Sequence, residues 1–188
     1  MLAAHGGCGL AVAADVRYTE VMAAGEGGVY GFRIPGFLTT NRSLHVFAEA
    51  RQYSCSDTSM HSMVYKRSTD GGASFSELRT VVDPPKVWGP QEGGHKGGAV
   101  YDPTPVYDEA TKTIWVLFSY CPSRYMARPA VPWAFEMWAI KSTDDGLSFS
   151  IPRNLSGVYT PGGARWCQRT AGAALDVKVI LTTLCIFH

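Results

Sequence analysis

Four side chains occupy positions where they could bind a charged ligand or transfer a proton. They are Arg33, Arg51, Asp57 and Asp102. An arginine guanidinium is always charged and can hold a carboxylate through two parallel N–H···O bonds. An aspartate carboxyl can give or take a proton during a reaction. Arg33 directly precedes Ile34-Pro35 at the start of an apolar strand, where a charge that only decorates the surface is not expected.

The other three residues also have ordinary structural explanations. The polar segment 54–59, which contains Asp57, has the composition of a solvated turn. Asp102 precedes a proline, as turn residues often do. Arg51 follows Glu49 by two residues and could form an ion pair with it. Taken one at a time, these residues leave a structural and a functional interpretation open.

The composition excludes several classes of function. The 188-residue chain has 17 Lys plus Arg against 16 Asp plus Glu, so it lacks the basic excess of a nucleic-acid-binding protein. It contains no apolar run near 18 residues, and we expect no transmembrane segment. The five cysteines form no CxxC pair, and the CxxH pair Cys185 and His188 has no second ligand pair near it in the sequence, as a structural zinc site requires. We therefore expect neither a metal nor another cofactor.

The clearest pattern is an internal repeat. Residues 68–75 read STDGGASF and residues 142–149 read STDDGLSF, so six of eight positions are identical at an offset of 74 residues. Asp and Ser can hydrogen-bond the nearby backbone, and glycine adopts the positive φ of a tight reversal. Each unit therefore predicts a hairpin turn whose closing phenylalanine returns to the core.

Strand-like segments precede each turn unit in the same order. Before the first unit they are 33–38, 43–50 and 62–67, and before the second 104–107, 113–120 and 136–141. Three or four short strands per repeat is typical of a β-propeller blade. We predict an all-β fold, a partial propeller with about two and a half blades. The chain is then a fragment, or it assembles with other chains.

These motifs resemble those of the sialidase superfamily. The turn units are similar to Asp-boxes (BNR repeats), and Phe32-Arg33-Ile34-Pro35 matches the F/Y-R-I-P signature. Residues 47–51, FAEAR, followed by Ser54-Cys55-Ser56-Asp57, resemble lysosomal-type animal sialidases most closely. The resemblance covers residues 29–156, interpreted as blades 1 and 2 of a six-bladed propeller. Residues 1–28 stay unassigned, and residues 157–188 begin a third blade or form an unmatched tail.

The resemblance implies an exo-α-sialidase that hydrolyses terminal sialic acids from glycoproteins, gangliosides and oligosaccharides. Arg33 matches the first of three arginines that hold the sialic acid carboxylate, and Asp57 matches the general acid/base. Arg51 and Asp102 match residues that contact the hydroxyl or N-acyl side of the sugar. Sialidases use a tyrosine nucleophile, and its activating glutamate and the other two arginines belong to later blades. We therefore expect this chain alone to be poorly active or inactive.

Two alternatives and several properties stay open at this stage. The chain could be a non-catalytic Asp-box propeller that binds carbohydrate or protein, or a remnant with no folded state. Hydrolysis is not separated from transfer, and the sialic acid linkage and oligomeric state are undetermined. The amino terminus lacks a clear signal peptide, yet Asn41-Arg42-Ser43 and Asn154-Leu155-Ser156 are glycosylation sequons. They favour a lysosomal or secreted location over a cytoplasmic one.

Overall fold

A computed structural model describes residues 18–90, 97–122 and 135–159 of the chain. Its strands are β1 (Gly31–Thr39), β2 (Leu44–Arg51), β3 (His61–Ser68), β4 (Arg79–Val82), β5 (Ala99–Asp108), β6 (Thr113–Cys121), β7 (Glu136–Ser142) and β8 (Arg153–Asn154). Three short helical segments accompany them: a 3₁₀ turn at Glu26–Gly28, α1 (Pro84–Trp88) and α2 (Ser156–Tyr159). The expected all-β character is confirmed. The unassigned residues 1–17 and most of the predicted third blade, 160–188, lie outside the described residues.

The strands form two successive four-stranded antiparallel units. In the first unit β1 pairs with β2, β2 with β3 and β3 with β4, and β5 to β8 repeat this order in the second. A single parallel pair, His61 with Ala99, joins the two units. Four strands per repeat agree with the predicted blade pattern, while the number of blades in a closed propeller stays a prediction.

The first strand of each unit carries the same bulge. Its register shifts between Arg33 and Gly36 in β1 and between Tyr101 and Thr104 in β5. Ile34 has a φ of 51° and Asp102 a φ of 52°, and each directly precedes a proline. The left-handed backbone is strained for residues with a side chain, so its repetition marks a feature that the fold maintains at a cost.

Gly36 allows the two first strands to approach each other closely. A Cβ atom at this position would lie 2.4 Å from the carbonyl oxygen of Pro103 and 2.8 Å from Cδ of Pro105. Both distances are far below van der Waals contact, and the nearer atom is backbone, which cannot rotate away. Only glycine therefore fits where β1 passes β5.

The main core lies between the two units. It includes Phe47, Tyr65 and Met63 from the first unit and Val116, Phe118 and Ile140 from the second, all with at most 1% exposure. α1 extends this core because its Trp88 stacks on Tyr120 with ring centroids 3.6 Å apart. Burying aromatic rings of this size supplies the main favourable free energy of such a fold.

The two repeat turns have the same internal hydrogen bonds. In the first, Ser68 Oγ donates to Asp70 Oδ1 at 2.7 Å and the Ser74 amide donates to the same oxygen at 2.9 Å. In the second, Ser142 and Ser148 make the equivalent bonds to Asp144 at 2.7 and 2.9 Å. The aspartate thus accepts bonds from both sides of the turn, and the predicted hairpin reversals are confirmed.

The second turn also binds the first unit. Asp145 Oδ1 accepts a hydrogen bond from Thr40 Oγ1 at 2.8 Å, and Oδ2 accepts one from Ser43 Oγ at 2.6 Å and forms an ion pair with Arg67. Phe149 packs edge-on against Tyr65 of the first unit with ring centroids 5.0 Å apart. The repeat turn is therefore an attachment between units as well as a reversal within one.

Candidate active site

The sequence-predicted residues meet at one end of the first unit, opposite the repeat turns. Arg33 lies on β1 just before its bulge, and its Nη1 donates to Asp57 Oδ1 at 3.1 Å and to the Cys55 carbonyl at 3.3 Å. The Arg33 and Asp57 side chains are 43% and 45% exposed. An ion pair this exposed contributes at most about 1 kcal/mol to stability. Both groups are therefore accessible to a ligand.

Arg51 lies beneath this pair, with a side chain that is 1% exposed. Its Nη1 donates to Asp57 Oδ1 at 2.9 Å and to the Ser56 carbonyl at 2.8 Å, and its Nη2 donates to Glu49 Oε2 at 2.5 Å. The ion pair with Glu49 that the spacing allowed is therefore present. In this arrangement Arg51 holds Asp57 from below, and its predicted contact with a sugar stays a prediction.

Glu49 is a buried carboxyl that the sequence analysis did not select as a site residue. It is 1% exposed, and its Oε1 accepts a hydrogen bond from the Asp102 amide at 2.9 Å. Burial raises the pKa of Glu49 to about 7, although the Asp102 amide and the Arg51 charge act in the opposite direction. A signal existed in the sequence, because residues two apart on a strand share a face.

His61 and Tyr101 complete the buried layer, and neither was predicted. His61 is opposite Arg51 in the β2–β3 register, and its Nε2 lies 3.2 Å from the Ser56 carbonyl oxygen. Burial, reinforced by the Arg51 charge, lowers the pKa of His61 to about 3. The ring is therefore neutral near pH 7, and Nε2–H donates to that carbonyl. The Tyr101 hydroxyl donates to the Asp57 carbonyl oxygen at 2.5 Å.

Asp102 joins the site through its backbone. Its amide binds Glu49, which in turn binds Arg51, so all four predicted residues belong to one connected cluster. The two bulges place Asp102 at the position that Ile34 occupies in β1, and Tyr101 at the position of Arg33.

No protein-family model matches the chain. A sialidase of Bacteroides fragilis is 32% identical in an alignment 148 residues long that covers 71% of this chain and 26% of that protein. An exo-alpha-sialidase of Aspergillus fumigatus is 30% identical in an alignment 161 residues long that covers 74% of this chain and 37% of that protein. The chain is related to sialidases.

A solved sialidase structure agrees with these relatives. A Hadza microbial sialidase superposes with a TM-score of 0.62 at 26% identity, over 71% of this chain and 27% of that chain. The matched part of the chain thus spans 26% to 37% of the length of these three sialidases. These relatives are bacterial, microbial and fungal, so closeness to lysosomal-type animal sialidases stays a prediction.

The candidate site of this chain contains no metal centre among the residues that the structure describes. No group of three or more His, Cys, Asp and Glu side chains there could hold a metal ion. Within the same residues, no helix is long and apolar enough to cross a membrane. The described site presents an accessible carboxylate and guanidinium, from Asp57 and Arg33, above the buried ion pair of Arg51 and Glu49.

Proposed function

We propose that the chain is part of an exo-α-sialidase that hydrolyses terminal sialic acids from glycoproteins, gangliosides and oligosaccharides. The observation that carries this proposal is the exposed pair of Arg33 and Asp57, 3.1 Å apart, in a chain related to sialidases. A sialoside presents a carboxylate close to the bond that is cleaved. A cation and a proton donor within one hydrogen bond of each other suit such a substrate.

In this proposal each residue has a separate role. Arg33 binds the sialic acid carboxylate, and Asp57 protonates the departing glycosidic oxygen and then activates water by taking back a proton. Arg51 and Asp102 contact the hydroxyl or N-acyl side of the sugar, as the resemblance implies. The buried position of Arg51 favours a further role for it, because a fixed cation beneath Asp57 restricts where the carboxylate can lie.

The remaining catalytic groups are expected in sequence that the relatives have beyond the matched region. A tyrosine nucleophile, its glutamate and two more carboxylate-binding arginines complete a sialidase site in the family this chain resembles. We infer that residues 29–156 supply blades 1 and 2 of a six-bladed propeller and that 157–188 begin a third blade or form a tail. The chain alone is then poorly active or inactive. The sequons favour a lysosomal or secreted location.

Substitution of Asp57 tests the proposal. In a protein that contains this chain and hydrolyses a sialyl-galactoside, Asp57→Asn should lower kcat by about 10²–10⁴-fold, the usual contribution of general acid/base catalysis. Binding of sialic acid, followed by titration calorimetry, should persist because Arg33 is unchanged. Glu109→Gln is the matched control, since Glu109 is a 74% exposed carboxylate in a turn. Unchanged turnover in Asp57→Asn would remove Asp57 from the mechanism.

A non-catalytic carbohydrate- or protein-binding module is the second candidate. It is favoured by the two repeat turns, because their shared hydrogen bonds serve the scaffold and require no catalytic group. Sialic acid binding without cleavage, in the longest protein that contains this sequence, would support the binding module over the enzyme.

A further inference from the structure

The segment 52–60 between β2 and β3, here called the Asp57 loop, is anchored at both its ends within the first unit. The Gln52 amide donates to the Met60 carbonyl at 3.0 Å, and Arg51 and His61 both bind the Ser56 carbonyl. These contacts close the loop at its base and hold the residue before Asp57.

The second unit contributes a hydrogen bond to the backbone of Asp57. The Tyr101 hydroxyl donates to the Asp57 carbonyl oxygen at 2.5 Å, across 44 residues of sequence. Tyr101 is 2% exposed, and its ring packs edge-on against His61 and Phe135 with centroids 5.0 and 5.3 Å away. Because the ring is enclosed, its hydroxyl has a fixed position from which to hold the loop.

We propose that Tyr101 is a positioning residue that sets the Asp57 carboxylate against Arg33, an inference that rests on the proposed sialidase function. The Asp57 side chain is 45% exposed. Its location depends on the backbone beneath it and on two arginines that share Oδ1. Because the Tyr101 hydroxyl holds the Asp57 carbonyl in place, it also sets the backbone position from which the Asp57 side chain extends toward the substrate.

This role predicts an effect that depends on the leaving group. A displaced proton donor slows the release of a poor leaving group, which needs protonation, more than the release of an activated phenolate, which needs little. A general loss of structure would slow both reactions by the same factor. The ratio of kcat values for a sialyl-galactoside and an aryl sialoside therefore separates positioning from folding.

Tyr101→Phe tests the inference, because it removes the hydroxyl and keeps the packed ring. In a protein that contains this chain and cleaves both sialosides, we expect kcat for the sialyl-galactoside to fall about tenfold or more. We expect kcat for the aryl sialoside to change less than threefold and KM to stay nearly constant. The matched control is Tyr107→Phe on the same strand, because the Tyr107 hydroxyl makes no hydrogen bond among the described residues. Equal losses for both sialosides, or no loss, would overturn the inference.

A second measurement does not depend on turnover. In ¹⁵N spectra of the chain, Tyr101→Phe should speed hydrogen exchange of the Gln52 and Ser59 amides about fivefold, the factor expected from one hydrogen bond. It should also free rotation of the Arg33 guanidinium, which pairing with Asp57 slows. Faster exchange with unchanged Arg33 rotation would make Tyr101 only structural and overturn its positioning role.

The experiments distinguish a failure of the proposed sialidase function from a failure of the proposed Tyr101 role. If the longest protein that contains this chain cleaves neither sialoside, the sialidase function is not supported, and the Arg33 rotation then decides the role of Tyr101. If that protein cleaves both sialosides and Tyr101→Phe keeps the wild-type ratio, the function stands and the role of Tyr101 is refuted.

Discussion

Replacing Gly146 by alanine should destabilise the chain far more than the same change at Gly72. The two glycines are equivalent in the repeat turns and have φ values of 82° and 90°. A Cβ atom at Gly146 would lie 2.0 Å from the Tyr65 hydroxyl, whereas at Gly72 the nearest atom, Leu44 Cδ2, is 3.5 Å away. The two alanine substitutions therefore cause similar backbone strain, but only the one at Gly146 creates a clash with the first unit.

The magnitudes follow from these distances. Positive φ costs an alanine about 1–2 kcal/mol at either site. At Gly146 the Tyr65 hydroxyl must also move, which breaks its 2.7 Å hydrogen bond to His45 and overpacks a buried ring. The lost bond costs about 1 kcal/mol and the overpacking about 1–3 kcal/mol. We expect Gly146→Ala to cost about 2–4 kcal/mol more than Gly72→Ala.

Urea unfolding of both variants measures this difference as a shift in midpoint at constant m. The Tyr65→Phe background tests the cause, because it removes the atom that the new Cβ would meet. The cost of Gly146→Ala should fall by about 1–2 kcal/mol there, a coupling that a double-mutant cycle reports directly. Equal costs for the two glycine substitutions would refute the claim that the second turn is packed against the first unit.

Two further predictions concern pH. Burial alone would raise the pKa of Asp145, but hydrogen bonds from Ser43, Arg67 and Thr40 hold this pKa at about 2. The carboxylate therefore stabilises the fold above pH 3.8, its ordinary pKa, and this stabilisation is lost as pH falls through about 2. Asp145→Asn should therefore lose less stability than the wild type between pH 4 and 2 in urea unfolding, and parallel curves would contradict this. Burial raises the pKa of Glu49. The protonated side chain therefore stabilises the fold fully below pH 4.5, its ordinary pKa, and this stabilisation is lost as pH rises through about 7. The stability of the wild type relative to Glu49→Gln should fall from pH 4.5 to 7.5, and a constant difference would show that folding does not raise the pKa of Glu49.

The sequence predicted what depends on local pattern. The turn units, the strands that precede them and the all-β class follow from glycine, aspartate and apolar residues within windows of about ten residues. Arg33 and Asp57 were selected by resemblance, and the structure brings them within 3.1 Å. Their proposed catalytic roles stay predictions.

The contacts that the sequence did not predict depend on how one unit packs against the other. Tyr101 reaches Asp57 across 44 residues, and Asp145 reaches Thr40 across 105. No periodicity encodes such contacts, because they are set by the relative placement of two sheets. Glu49 is intermediate, since its spacing from Arg51 was visible, but its full burial required the second unit to supply the Asp102 amide.

The attachment of Asp145 and Phe149 to the first unit also orders events during synthesis. The backbone pairing of the first sheet is complete at Val82, and Asp145 is made 63 residues later. A ribosome adds about 5–20 residues per second, so this interval lasts about 3–13 s, whereas hairpins form in about 1–10 μs. For those seconds the nascent first sheet presents Phe47 and Tyr65 without the aromatic ring that later covers them. We therefore expect the nascent first unit to bind chaperones that recognise exposed apolar strands.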